Sequence, residues 1–427
     1  MSKKKLYALG LDGVPFSLLS DFCEKNITCY LRKIFEEGDI KKMYSVYPTL
    51  SSVAWATLLT GKYPGSHGIF GFIDVRDDLS LFIPNYRDIK VKTLIEILSD
   101  YDKRVLHINL PITYPPPEVR NTVCISGFLA PSVDRAVYPR NLRDFLLKEK
   151  YVIDLDPWMA QDDRKKKVFY NELFTVTEKR FKVCEEIIKK EDFDVIMLNI
   201  METDRLLHFF IKDFDKLRDY FSFLDKRIGL FFEKNLKDED ELIIFSDHGS
   251  KELKKSLNIF YLLKSRGLLK FKGNLTYDFR NIIETSKVFT LAPGRIYLFK
   301  KERFPKALYR ENEIREEVEN FLKELGNYEG IGGYKNKYEI FGKEFISSAP
   351  DFIIIPEIGY DLKSEFNLDE LYVHSPIVGV HSFDDAFIYI RGRKIVKDNV
   401  KIVDFTPTLL SLLNINYKDN FDGEVII

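Results

Sequence analysis

Leu6 to Leu11 is an apolar run that stops at Asp12-Gly13. A run of that length closed by a turn predicts a strand buried on both faces. The pattern returns at Arg104 to Ile108, Val123 to Ser126, Val195 to Ile200, Leu242 to Phe245, Phe352 to Ile355 and Ala386 to Ile390. Longer stretches with helical rhythm lie between several of these runs. Val91 to Leu98 is one. Asn171 to Lys190 is the clearest, with Leu173, Phe174, Val176, Phe181, Val183, Cys184, Ile187 and Ile188 on one side. Strands alternating with helices predict an α/β protein with a mostly parallel sheet and helices on both faces. The rhythm breaks between residues 255 and 350, which hold Tyr261-Leu262-Leu263, a strand pattern at Ile296 to Phe299 and a charged helix at Glu311 to Leu325. That stretch reads as an inserted, cap-like subdomain, leaving 1–254 and 351–427 as the core.

Charge removes some function classes. The 427 residues carry 65 Lys plus Arg against 66 Asp plus Glu, so no global field attracts a nucleic-acid polymer or an anionic membrane. An anionic small-molecule substrate must be held by local charge, such as a metal. Hydrophobic residues make up 45 %, enough for a substantial core. Cys23, Cys29, Cys124 and Cys184 form no C-x-x-C pair and read as reduced thiols. No apolar run approaches the ~20 residues that span a bilayer. Met1-Ser2-Lys3-Lys4-Lys5 leads straight into the first strand, and the expected location is cytoplasmic.

Acidic and histidine residues gather where the strands end. Asp12 follows the first run. Asp204 and His208 follow the run ending at Ile200, and Asp247-His248 follows Phe245. Ligands of open parallel sheets bind beyond the carboxyl ends of strands. His381, in Gly379-Val380-His381-Ser382, is the exception and is expected on a loop. The i, i+4 spacing of Asp204 and His208 puts both on one face of a helix. Carboxylate and imidazole together suit zinc, and also manganese or iron. Any one Asp-His pair reads as an ordinary hydrogen bond; four such sites near strand ends in one chain do not. A second segment, Pro48-Thr49-Leu50-Ser51-Ser52, places hydroxyls at the start of a helical run, where free N–H groups suit a phosphoryl group. The competing reading is a helix cap.

The ordered motifs resemble the alkaline phosphatase superfamily, and within it the type I phosphodiesterase/nucleotide pyrophosphatase family. They are Pro48-Thr49-Leu50-Ser51, Thr60-Gly61-Lys62-Tyr63-Pro64 with His67-Gly68-Ile69, Asp204 to His208, Ser246-Asp247-His248-Gly249, Gly379-Val380-His381 and Val403-Asp404-Phe405-Thr406-Pro407. The resemblance implies an alkaline-phosphatase-like three-layer α/β/α sandwich. It also implies two divalent metal ions, zinc with manganese as the alternative. Asp204, His208 and His381 would hold one; Asp12, Asp247 and His248, with the Ser51 oxygen, would hold the other. Ser51 aligns with the family nucleophile, and Ser52 is the alternative. The implied reaction is hydrolysis of a small-molecule phosphate ester through a phosphoserine.

One position departs from the nucleotide-cleaving members. Where they carry an Asn that contacts the phosphoryl group, this chain carries Phe72. Ser52, Trp55 and Phe72 are the candidate substrate contacts, with core packing the favoured reading for the two rings. His67 is a candidate for orienting the nucleophile loop. A phosphomonoesterase or phosphomutase of the same superfamily is the rival enzyme. A catalytically silent binding module is the rival of another class, and would be expected to have lost ligand positions that are all present here.

Overall fold

The computed structural model describes residues 4–272, 278–342, 344, 346–418 and 420–427. The chain forms two compact units, one of residues 1–62, 85–251 and 377–427, the other of residues 63–84 and 252–376.

The first unit is built on a nine-stranded sheet. Its strands are β1 (Leu6–Leu11), β2 (Gly38–Tyr44), β3 (Val105–Leu110), β4 (Thr122–Ser126), β5 (Val137–Tyr138), β6 (Val195–Ile200), β7 (Glu241–Phe245), β8 (Ala386–Arg391) and β9 (Val400–Lys401). They lie in the order β9-β2-β8-β7-β1-β6-β3-β4-β5. The central strands are parallel, whereas β8 runs antiparallel to both β2 and β7. Alternation along β1 buries both faces. Tyr7, Leu9 and Leu11 enter an apolar cluster with residues of helices Asp163–Ile188 and Phe214–Asn235. Gly10 points the other way, and a Cβ there would lie 3.1 Å from the Trp55 ring of helix Ser51–Thr60. This is the expected sheet between helical layers.

Register positions the acidic residues. Gly10 pairs with Phe245 and with Asn199. Asp12 and Asp247 therefore leave adjacent strands two residues beyond the same pair, side by side.

The second unit has its own four-stranded sheet, in the order Val288–Leu291, Arg295–Leu298, Phe352–Pro356, Ile331–Asn336, and the charged helix Glu311–Leu325. It is wider than the 255–350 stretch expected from the sequence. Phe352–Pro356 was expected as a strand of the core; instead it pairs antiparallel with Arg295–Leu298 and Ile331–Asn336. A short apolar run reads the same in either sheet, so periodicity alone does not assign it. Residues 63–84 join this unit through Arg295, which is 2 % exposed, pairs with Asp74 and donates to Ile73 O at 2.7 Å. Among the described residues, no helix is long and apolar enough to cross a membrane.

Candidate active site

Three strand ends, one helix start and one short strand of the first unit bring six ligand-type side chains and a serine together. Asp12 follows β1. Gly13 after it has φ 70° and approaches so closely that a Cβ would lie 2.9 Å from Asp204 Oδ1. Only glycine meets both demands there. Asp204 and His208 share helix Glu202–Phe210, which begins directly after β6. Asp247 and His248 follow β7. His381, expected on a loop, lies in a short strand, Gly379–Ser382, paired with Gly249–Glu252. Ser51 opens helix Ser51–Thr60, without a side-chain cap bond.

The distances fall into two triangles. Asp204 Oδ1 lies 3.3 Å from His208 Nε2 and 3.4 Å from His381 Nε2, and the two nitrogens are 3.0 Å apart. His248 Nε2 lies 3.2 Å from Ser51 Oγ, 3.3 Å from Asp247 Oδ2 and 4.0 Å from Asp12 Oδ1. A tetrahedron of zinc–ligand bonds of 2.0–2.1 Å has edges of about 3.3 Å. Asp204, His248 and His381 also offer atoms within 4.8 Å of one another, so the triangles adjoin through His248. We group His208 with Asp204 and His381 because those edges are the shorter set.

The hydrogen bonds around the triangles leave ligand atoms bare. His208 Nδ1 faces Gly379 O at 2.9 Å, His381 Nδ1 faces Thr49 O at 2.9 Å, and His248 Nδ1 faces Gly249 O at 3.1 Å. A carbonyl only accepts, so each Nδ1 carries a proton and, in a neutral ring, each Nε2 is a lone pair. The carboxylates follow the same plan. Asp12 Oδ2 accepts from Trp55 Nε1 at 3.0 Å and Asn199 Nδ2 at 2.9 Å. Asp204 Oδ2 accepts from Arg205 Nη1 at 2.9 Å, and Asp247 Oδ1 from the Gly13 N–H at 3.2 Å. Their other oxygens, Asp12 Oδ1, Asp204 Oδ1 and Asp247 Oδ2, are buried without a hydrogen-bond partner. Lone pairs packed together in a buried place are unfavourable unless a cation or proton lies among them. The donor set fits divalent cations.

Titration tells the same story for the cation-free protein. Burial, then the charges of Asp247 and Asp204, push Asp12 well above the usual carboxylate range. Burial pushes Asp247 up to about 7. Burial also acts against ionised Asp204, but His208, His381 and Arg205 outweigh it and hold that carboxyl low. Burial lowers His208 and His248. His381 is raised, because Asp204 beside it outweighs its burial.

Of the candidate substrate contacts, Trp55 is corrected to the packing role favoured for it. It is fully buried, packed edge-on to Phe245 at 5.6 Å and bonded to Asp12, so no face is open for stacking on a substrate. Ser52 is 1 % exposed, with a hydroxyl that has no partner among the described residues. Phe72 and His67 belong to the second unit. His67 is fully buried, burial lowers it to about 3, and its Nδ1 accepts from the Ile69 N–H at 3.2 Å. Sequence reasoning passed over Asn199 and Arg205, which hold the outer oxygens of two carboxylates. Their signal was present, since each is a polar residue beside a strand end or beside a candidate ligand.

The sheet and the strand ends gathered beside it are those of an alkaline-phosphatase-like fold. The chain belongs to the type I phosphodiesterase / nucleotide pyrophosphatase family, whose model matches residues 6–384. Solved structures with the same fold include phosphonoacetate hydrolase from Sinorhizobium meliloti, at 12 % identity over 95 % of this chain and 94 % of that one, TM-score 0.68. Murine ectonucleotide pyrophosphatase/phosphodiesterase 5 matches at 14 % identity over 98 % of both chains, TM-score 0.61. The alkaline phosphatase PafA matches at 14 % identity over 100 % of this chain and 99 % of that one, TM-score 0.62. Among curated proteins, none matches the chain in sequence.

Proposed function

We propose that the chain is a two-cation phosphodiesterase or nucleotide pyrophosphatase that works through a phosphoserine on Ser51. Asp204, His208 and His381 are the ligands of one cation. Asp12, Asp247 and His248, with Ser51 Oγ, are those of the other. The observation that carries the reading is the meeting of His208 Nε2, His381 Nε2 and bare Asp204 Oδ1 within 3.0–3.4 Å, with both Nδ1 atoms committed to carbonyls. Zinc suits the nitrogen-rich set, and manganese is the alternative.

When bound, such cations favour the serine alkoxide and offset charge on the phosphoryl and leaving oxygens. Ser51 Oγ forms a bond to phosphorus as the bond to the leaving oxygen breaks. The Val53 and Ala54 N–H groups bond back to Leu50 O, so the helix leaves those of Ser51 and Ser52 to hold non-bridging oxygens. Water then cleaves the phosphoserine and restores the hydroxyl.

Phe72 favours a second reading. A ring cannot donate the hydrogen bond of the Asn found there in nucleotide-cleaving members, which leaves room for a phosphomonoesterase. Of the structural neighbours, murine ectonucleotide pyrophosphatase/phosphodiesterase 5 was solved with AMP and phosphonoacetate hydrolase with phosphonoformate; a small phosphoryl or phosphonyl compound is the proposed substrate class. Hydrolysis of bis-p-nitrophenyl phosphate against p-nitrophenyl phosphate, with added zinc or manganese, separates the two readings. Ser51→Ala is expected to abolish turnover of both while the protein retains metal. Undiminished turnover by that variant would remove Ser51 as nucleophile.

A further inference from the structure

Among the three carboxylates, Asp204 alone has its outer oxygen held by a charged side chain. Arg205 Nη1 donates to Asp204 Oδ2 at 2.9 Å. Arg205 is itself fixed from behind. Asp154 accepts from its Nε at 3.0 Å and from its Nη2 at 2.6 Å, and the guanidinium lies 4.9 Å from the centre of the Phe128 ring. A fork bound at both ends in this way cannot swing. Its position decides which oxygen of Asp204 remains bare beside His208 and His381.

We propose that Arg205 is a positioning residue for the Asp204–His208–His381 cation, acting with Asp154 as its anchor. This rests on the two-cation reading above and adds to it a dependence that touches one cation position only. Three points support that selectivity. The Asp12 carboxylate takes its donors from neutral Trp55 and Asn199, and Asp247 from a backbone N–H, so neither leans on Arg205. Asp204 is 1 % exposed, so without Arg205 its outer oxygen would be a buried acceptor with no donor. The carboxylate could then turn about its last torsion and offer the histidines either oxygen. Asp154 follows Ile153, whose carbonyl accepts from buried Arg180 at 2.7 Å, so the anchor is set in a rigid segment.

The test titrates the metal-free full chain with zinc against a chromophoric chelator. Wild type is expected to bind two equivalents. Arg205→Met is expected to weaken one of them by roughly ten- to a hundredfold and leave the other unchanged, as for partners that orient metal ligands. Arg205→Lys keeps the charge but not the fork, and should fall between. If Arg205→Met does not fold, Asp154→Asn serves instead, since it keeps the side-chain shape and releases the fork; it should weaken the same single equivalent. Two unaltered equivalents in a folded variant, or equal weakening of both, would overturn the positioning role. A wild type that binds fewer than two equivalents would overturn the two-cation reading itself, which is a separate result.

Discussion

The indole N–H of Trp55 donates to Asp12 Oδ2 at 3.0 Å, and this bond joins the helix that starts at Ser51 to the strand end that carries Asp12. Ser51 and Asp12 are thereby placed by the same buried contact. Trp55→Phe keeps most of the ring and removes the donor, leaving Asn199 alone on that oxygen. The loss of a hydrogen bond to a buried carboxylate costs ~1–3 kcal/mol. We expect turnover to fall at least tenfold, with weaker zinc binding at the Asp12–Asp247–His248 position. Turnover and zinc affinity equal to wild type would show that Asn199 suffices.

Gly379 clasps the helix that carries His208. Its carbonyl accepts from His208 Nδ1 at 2.9 Å, while the Val378 N–H donates to His208 O at 2.8 Å. A Cβ at Gly379 would stand 2.2 Å from Leu207 O, a contact that backbone must move to relieve. Gly379→Ala should therefore cost ~1–3 kcal/mol as overpacking. It should also reduce the gain in melting temperature that zinc confers. A variant with normal melting in both states would mean that the clasp yields without disturbing His208.

The acidic and histidine residues were legible because chemistry and position coincide in them. Asp12, Asp204 and Asp247 each stand just past an apolar run, and a parallel sheet gathers such ends. Arg205 and Asp154 were not legible as a pair, since no period links charges 51 positions apart. For Trp55 the sequence favoured packing but left a substrate contact open, because it does not reveal which face of a helix meets the sheet. The strand Gly38–Tyr44 escaped because Lys41 and Lys42 interrupt its apolar pattern. Residues 63–84 looked like core because their tie to the second unit, Arg295 on Asp74, spans 221 positions.

His107 is fully buried on β3, and neither ring nitrogen has a partner among the described residues. Burial lowers it from 6.5 to about 3. Above pH 6.5 the ring is neutral in both folded and unfolded chains. Below it the unfolded chain takes up a proton that the folded chain refuses until about pH 3, so stability falls as pH falls through that window. The slope from one such group is ~1.4 kcal/mol per pH unit. His107→Leu should flatten the acid limb by ~1 kcal/mol between pH 6.5 and 5.5, where the unfolded ring is only part-way through its titration, and by nearly the full slope over the next unit down, measured by urea unfolding; it should not destabilise the protein at pH 7.5. Parallel acid limbs for variant and wild type would contradict the buried neutral state.

Glu202 starts the helix that carries Asp204 and His208, and it is bound there by Arg180. The guanidinium donates to both carboxylate oxygens at 2.6–2.9 Å, to Tyr151 Oη at 2.7 Å and to Ile153 O at 2.7 Å. Both side chains are essentially without solvent exposure. Breaking such a pair from one side leaves a buried charge uncompensated, which costs ~3–5 kcal/mol. Glu202→Leu should therefore destabilise strongly and release the start of the ligand helix. Removing the second charge as well, in Glu202→Leu with Arg180→Met, should recover much of the stability, because the pair itself was costly to bury. Activity separates two roles for the pair. If it only supports packing, the double variant regains turnover with stability. If it sets the angle of the helix, stability returns while turnover and zinc affinity at His208 stay low. We expect the second outcome, because the bidentate fork constrains direction as well as distance; full recovery of turnover in the double variant would refute it.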